Sequence, residues 1–314
     1  MNIVSGKQPK ARKVLLYGPE GIGKTSLARQ FPRPLFLDTE RGTGEYDVDR
    51  IEVLKWSDIV AALTSLAQQS RGYQTVVIDT IDSAVPLLVN KVCREMGISA
   101  LGDLPFGKAY AQMSDQLDAL IAQCNRLVDC GLHVLFLAHS QVRRMEQPDL
   151  PDGYDKYELR LPDRVAGPLK TAVDAVLFAN FRVTMVEGKG RSRAMGGKER
   201  VLYATHSTVH DAKNRCGIPE KSPFSIESLA PLLSGIDPAP QNKPEPPDQA
   251  EAPTLTAQPH PLDALVAGLD AAQLHGFLTK RGQITAGQTY RDLSDAYVRR
   301  VLDAPEVFRA CVLR

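Results

Sequence analysis

The sequence predicts an α/β core with a mainly parallel central sheet, then a proline-rich linker and a small C-terminal helical module. Three observations predict it. Through residues 1–236, short apolar runs alternate with stretches of helical spacing, the pattern of parallel strands joined by crossover helices. Gly18–Thr25 is a glycine-rich turn set between one such run and a helix. Residues 237–261 hold eight prolines in 25 positions and no aromatic, too little apolar surface to order a chain, so they read as a disordered, semi-stiff spacer.

Val14–Tyr17 is the first strand, and the helix after the glycine turn stops by Pro32. Leu35–Leu37 is the second strand. Ser57 is an N-cap residue type ahead of a helix to about residue 70. Thr75–Ile78 is a β-branched strand. Helices follow over 83–96 and 108–130, the second closed by Gly131. Val134–Ala138 is a buried strand. Val173–Val186 and Val201–Thr205 read as a hairpin around a glycine-rich basic loop. In the tail, 262–314, Leu262, Leu265, Val266, Leu269, Leu274, Phe277 and Leu278 keep helical spacing.

The net charge is +1 over 314 residues, which excludes nucleic-acid binding by bulk charge. The sum hides a core at +3, a linker at −3 and a tail at +1. Five cysteines without a C-x-x-C pair predict neither a zinc site nor a disulfide framework, and a reducing cytoplasm follows as the expected location. The basic start MNIVSGKQPKARK lacks the apolar core of a signal peptide, and apolar runs of about five residues are far short of a membrane span.

Gly18-Pro19-Glu20-Gly21-Ile22-Gly23-Lys24-Thr25 fits G-x-x-x-x-G-K-[ST] in full, and Ser26 continues it. Such a loop turns backbone N–H groups onto phosphates, so ATP is the expected ligand. Lys24 would reach the outer phosphates and the Thr25 hydroxyl would ligate Mg²⁺. Asp79, ending the strand Thr75–Ile78, is placed to join the Mg²⁺ shell. Thr80 follows it, where many P-loop machines keep a water-activating glutamate. Glu40, at the end of the strand Leu35–Leu37, is either a base for the attacking water or a solvated loop acid.

In order, GPEGIGKT, FLDTE, VVID, FLAHSQ and AKNRCGIP resemble the RecA-like P-loop ATPase core over about residues 10–230. The likeness is greatest to the phage Sak-type ATP-binding proteins of single-strand annealing and recombination. The resemblance implies that Glu40 is the catalytic glutamate and that Gln141 senses the terminal phosphate. His139 and Ser140 depart from the asparagine that RecA keeps beside that glutamine, which leaves His139 or Gln141 as the sensor. Lys213-Asn214-Arg215-Cys216-Gly217 resembles the K-N-R-F-G signature of bacterial RadA, with Cys216 in the aromatic place. It implies that Lys213 and Arg215 reach a neighbouring subunit's ATP in a homo-oligomeric ring or filament.

The same resemblance implies single-stranded DNA as partner, held by two loops. The first spans 97–108, with Phe106 to stack and Lys108 to meet phosphate. The second spans 143–164, a long loop of mobile composition carrying Arg143, Arg144, Tyr154, Tyr157 and Arg160, with five basic against six acidic residues. A third candidate grip is the segment 188–200, five cations against one acid, including Lys189, Arg191 and Arg193; a solvated basic turn reads equally well. The expected function is a DNA-dependent ATPase that assembles on single strands and supports recombination or annealing, with the C-terminal module a docking point for a single-strand binding protein. The alternative is a nucleotide-dependent protein-interaction switch without a DNA role.

Overall fold

Val14, Leu15, Leu16 and Tyr17 are all buried, as an apolar run in a parallel sheet covered on both faces must be. They form β1 (Lys13–Gly18) of a structure, a computed structural model, that describes residues 5–6, 10–147, 150–188 and 191–233, and in the tail 262–266, 269–281, 283, 290, 293 and 295–312. The chain divides into two units, Met1–Pro244 and Glu245–Arg314.

In the first unit β1 is followed by β2 (Pro34–Asp38), β3 (Asp49–Glu52), β4 (Thr75–Asp79), β5 (His133–Gln147), β6 (Leu150–Leu159), β7 (Ala175–Gly188), β8 (Arg191–Tyr203), β9 (Lys213–Asn214) and β10 (Lys221–Pro223). The sheet order is β10-β8-β7-β1-β5-β4-β2-β3. From β7 through β3 the neighbours are parallel. β6, β8, β9 and β10 pair antiparallel. The register sets Gly18 beside His139 and Asp38 beside Asp79, so the functional loops leave neighbouring strands at the same, C-terminal edge.

Side chains alternate across the sheet and build one core on each face. Leu15, Tyr17, Ile78 and Phe136 pack under α2 (Trp56–Gln68), α3 (Ile81–Met96), α4 (Lys108–Asp129) and α5 (Asp163–Ala172). Val14, Leu16, Val77 and Leu135 pack with Leu27 and Ala28 of α1 (Lys24–Ala28), and with Leu229 and Leu232 ahead of and within α6 (Ala230–Leu233). α4 shows why such helices form: Ala109, Met113, Leu117, Leu120, Cys124 and Leu127 recur at three- and four-residue steps and are all buried. Each large buried side chain of this kind is worth about 1.5–3 kcal/mol.

Several elements differ from the sequence expectation. α1 ends at Ala28, and Gln30 and Phe31 close its last turn with bonds to Leu27 and Ala28 oxygens. α2 starts at Trp56 with Lys55 as its N-cap, because the Asp58 carboxylate takes the Leu54 and Lys55 N–H groups; Ser57 sits inside the first turn. Within the 143–164 segment, expected as a mobile loop, residues 143–147 and 150–159 form an antiparallel arm, the end of β5 paired with β6, with Arg144 opposite Asp155, and the pairing extends back to Gln141 opposite Glu158. Most of the basic segment 188–200, expected as a loop, is strand β8.

In the second unit, α7 (Asp263–Val266), α8 (Ala271–Lys280), α9 (Asp295–Asp303) and α10 (Pro305–Val312) enclose Leu262, Leu274, Leu278, Val301 and Phe308, with Phe277 edge-on to Phe308 at 5.8 Å. The spacer expected at 237–261 lies outside the described residues. Among the described residues no helix is long and apolar enough to cross a membrane.

Candidate nucleotide site

Gly18 ends β1 where no side chain fits: a Cβ there would lie 2.4 Å from the Ala179 oxygen of β7. Pro19, half-buried, and the exposed Glu20 then cross the sheet edge, and Gly21 turns the chain at φ 73°. Ile22 is fully buried and pins the back of the loop in the core. Gly23 holds φ 97°, which a side chain strains against, and releases the chain into α1.

Lys24 is 6% exposed, and its Nζ donates to the oxygens of Gly18 at 3.1 Å and Pro19 at 3.0 Å. Burial lowers its basicity, against the pull of Asp82, Asp79, Glu40 and Glu20. A buried ammonium bonded to carbonyl oxygens, with no carboxylate within ion-pair distance among the described residues, fits a site built for phosphate. Ser26 Oγ lies 3.4 Å from the Tyr46 hydroxyl.

Thr25 Oγ1 donates to Asp79 Oδ2 at 2.8 Å, joining the loop to the end of β4. Burial raises the Asp79 carboxyl to about 6, with Glu40 and Asp38 adding to it and Thr25 and Lys24 opposing. A hydroxyl and a carboxylate side by side are an oxygen donor pair suited to Mg²⁺.

Glu40 is placed by a turn. Asp38 accepts from the backbone N–H groups of Glu40 at 3.1 Å, Gly42 at 3.3 Å and Thr43 at 3.0 Å, and from the Thr43 hydroxyl. Burial raises the Asp38 carboxyl, but these bonds outweigh it and hold the group below its ordinary value. Glu40 Oε1 then accepts from Thr80 Oγ1 and Ser83 Oγ, each at 2.6 Å, and lies 3.8 Å from His139 Nδ1. His139 bonds Asp82 through its backbone N at 3.0 Å and Nδ1 at 2.9 Å. Arg160 bonds Asp82 Oδ2 through Nε at 3.3 Å and Nη2 at 2.9 Å, and Glu20 through Nη1 at 3.1 Å. Burial pushes the Asp82 carboxyl up, and its bonds to His139 and Arg160 override that and hold it at about 2.

The structure thus brings together Lys24, Thr25, Asp79 and Glu40, and adds Thr80, Asp82 and Ser83, which sequence reasoning missed. Their signal was faint: Thr80 is a helix N-cap residue type and Asp82 an acid in a first turn. Arg200 was also missed as part of this site. Its Nη1 donates to the Ile22 oxygen at 3.2 Å, against Gly23.

Other predicted residues lie apart. Gln141 Nε2 donates to the Leu159 oxygen at 3.0 Å, across the arm; His139, not Gln141, is the one beside Glu40. Lys213 Nζ donates to the oxygens of Lys170, Thr171 and Val173 at 3.0, 2.9 and 2.7 Å, closing the end of α5. Arg215 is exposed on the turn that Asn214 Oδ1 fixes by accepting from Cys216 and Ile218 N–H groups.

The residues expected to meet DNA divide sharply. Phe106 is 98% exposed at φ 58°, with Lys108 exposed at the start of α4. Arg143 pairs with Asp163 at 2.9 Å and Glu158 at 3.5 Å, and Arg144 with Asp155 at 3.7 Å. Tyr157 is half-buried against Phe178, ring centroids 5.1 Å apart, and Tyr154 is half-buried opposite Met145. Arg191 and Arg193 fall in β8 opposite Gly188 and Val186, and Lys189 lies outside the described residues.

A phosphate loop on a mainly parallel sheet, with a strand-end carboxylate bonded to its threonine, defines a P-loop ATPase. The AAA_24 family, described as an AAA domain, matches residues 10–216, and the chain belongs to it. The SPbeta prophage-derived protein YorG of Bacillus subtilis strain 168 is 24% identical over 142 residues, 44% of this chain and 43% of that protein, so the chain spans less than half of this curated relative. Similar solved structures include the RadB recombinase, at 13% identity and TM-score 0.38 over 70% of this chain and 89% of that one. A KaiC-like protein from Pyrococcus horikoshii OT3 has 13% identity and TM-score 0.35, over 71% and 88%.

Proposed function

We propose that this ATPase works on single-stranded DNA, assembling on it as a homo-oligomer and supporting recombination or strand annealing. One observation carries the reading. The β7–β8 arm, whose segment 188–200 has five cations against one acid, leaves the sheet directly beside β1, and Arg200 at its root touches the phosphate loop. A cationic arm anchored at the nucleotide site is a physical route from phosphate occupancy to DNA grip. The exposed Phe106 beside Lys108 supplies the stacking that single-strand binding needs.

In the hydrolytic step, Lys24 turns from the Gly18 and Pro19 oxygens to the outer phosphates. Glu40, fixed by Thr80 and Ser83, orients the attacking water and accepts its proton. Thr25 and Asp79 would hold Mg²⁺, which when bound screens the phosphate charge. Lys213 and Arg215 act across the subunit interface, Lys213 leaving the α5 end as assembly forms. Residues 1–236 are the ATPase, 237–261 a spacer, and 262–314 a docking module for a protein such as a single-strand binding protein.

The ion pairing along the β5–β6 arm favours a second reading, a nucleotide-dependent protein switch, because Arg143 and Arg144 already face carboxylates there. Fluorescence anisotropy of a labelled single-stranded oligonucleotide, with and without a non-hydrolysable ATP analogue, separates the two. Nucleotide-dependent, salt-sensitive binding supports the DNA reading; no binding at low salt leaves the switch.

A further inference from the structure

Thr80, the N-cap of α3, and Asp82 and Ser83 in its first turn cluster about Glu40, the Asp82 carboxylate lying within 4.8 Å of both Glu40 and the His139 ring. Thr80 and Ser83 hold Glu40 through its Oε1. Asp82 faces the β5–β6 arm, and its side chain is 4% exposed. Both of its oxygens are taken by residues at the root of that arm: Oδ1 by the His139 N–H, Oδ2 by His139 Nδ1 and by Arg160 Nε and Nη2. Arg160 itself is fastened by its backbone, its N–H donating to the His139 oxygen at 2.8 Å. Its other terminal nitrogen, Nη1, donates to Glu20 of the phosphate loop.

We infer that Asp82 and Arg160 are positioning residues for ATP hydrolysis: their ion pair fixes the α3 turn whose hydroxyls aim Glu40 at the attacking water. Arg160 thereby belongs to the hydrolytic site and not to a nucleic-acid surface. Three of its N–H directions are committed to carboxylates, and the Asp82 pair is buried on the acid's side, so it resists exchange with a phosphate from solvent. The Glu20 pair is exposed on both sides and is the weaker tie. The inference rests on the reading of Glu40 as the base.

The test compares Arg160→Ala, Arg160→Lys, Asp82→Asn and Glu40→Gln in the full chain. It measures steady-state turnover, affinity for a fluorescent ADP, and affinity for ADP with aluminium fluoride, which mimics the transferring phosphoryl group. A misaimed base costs turnover without ground-state binding, so Arg160→Ala and Asp82→Asn are expected to lower kcat about 10- to 100-fold. KM and ADP affinity should stay within about 2-fold, and the aluminium fluoride complex should weaken in step with kcat. Arg160→Lys should recover only part of the loss, since a single ammonium cannot make the forked contact. In the Glu40→Gln background, Arg160→Ala should cost nothing further.

If Glu40→Gln turns over like the parent, the reading of Glu40 fails. If Glu40→Gln is inactive while Arg160→Ala and Asp82→Asn keep parental kcat, the positioning inference alone is overturned. It is equally overturned if Arg160→Ala affects only oligonucleotide affinity, or raises KM at constant kcat. Should Arg160→Ala fail to fold, Arg160→Lys and Asp82→Asn decide by the same readouts.

Discussion

Thr25 and Asp79 are joined by a 2.8 Å hydrogen bond that spans the gap between the phosphate loop and the end of β4. The bond holds in register the two oxygens proposed to carry Mg²⁺, at the cost of burying a carboxylate. The Asp79 carboxyl is raised to about 6 from 3.8 because charging it there forfeits hydration. The metal-free protein binds this proton more tightly folded than unfolded, so its contribution to stability declines as pH rises from about 4 to about 6. Mg²⁺ competes with the same proton, so metal affinity rises through the same window. Calorimetric titration of Mg²⁺ at pH 5.5 and pH 8 should show weaker binding at pH 5.5. Asp79→Asn should abolish the metal dependence without lowering the melting temperature at pH 8.

Lys24→Ala is expected to cost about 1.5–3 kcal/mol in nucleotide affinity, or roughly 10- to 150-fold, the worth of charged hydrogen bonds to phosphate. The fold should not suffer, because losing two bonds to carbonyl oxygens is offset by no longer burying an ammonium. Binding of a fluorescent ATP analogue and a thermal melt check both halves.

Lys213 has a role inside its own chain, closing the C-terminal end of α5 with three bonds, and a proposed one across an interface. Lys213→Ala should therefore lower stability by about 1 kcal/mol, the usual value of a cation at a helix C-terminus. Its turnover should fall only at protein concentrations where the chain assembles. Turnover measured across a dilution series decides this, and an equal loss at all concentrations would contradict the role in trans.

The parallel strands were legible because Val14–Tyr17 and Val134–Ala138 are apolar runs and Thr75–Ile78 a β-branched one, as a sheet covered on both faces holds. β3 was not: Asp49-Arg50-Ile51-Glu52 is exposed throughout and carries no burial pattern. The arm of β5 and β6 read as a loop because charged pairs such as Arg143 with Glu158 and Arg144 with Asp155 break up its apolar alternation. α5 was hidden by Gly167 and Pro168 in its middle. At the site, the phosphate loop and Asp79 are local signals, each fixed by its own strand. The hold on Glu40 by Thr80 and Ser83, and the joining of Asp82 to Arg160, span 40 to 78 positions and exist only once β2, β4 and β5 lie side by side.

Deleting residues 237–314 should leave the ATPase unit folded with unchanged nucleotide affinity, since each unit closes its own apolar core. Circular dichroism and a nucleotide titration of residues 1–236 check it. An insoluble product would place the boundary wrongly.

The most direct test is steady-state ATP turnover with and without single-stranded DNA, at low and at high salt, with Lys24→Ala as the blank. Turnover should rise when DNA is added, and the rise should shrink as salt releases the phosphate contacts. Identical turnover with and without DNA at low salt, together with no retention of the strand by the ATP-bound protein, would contradict the account.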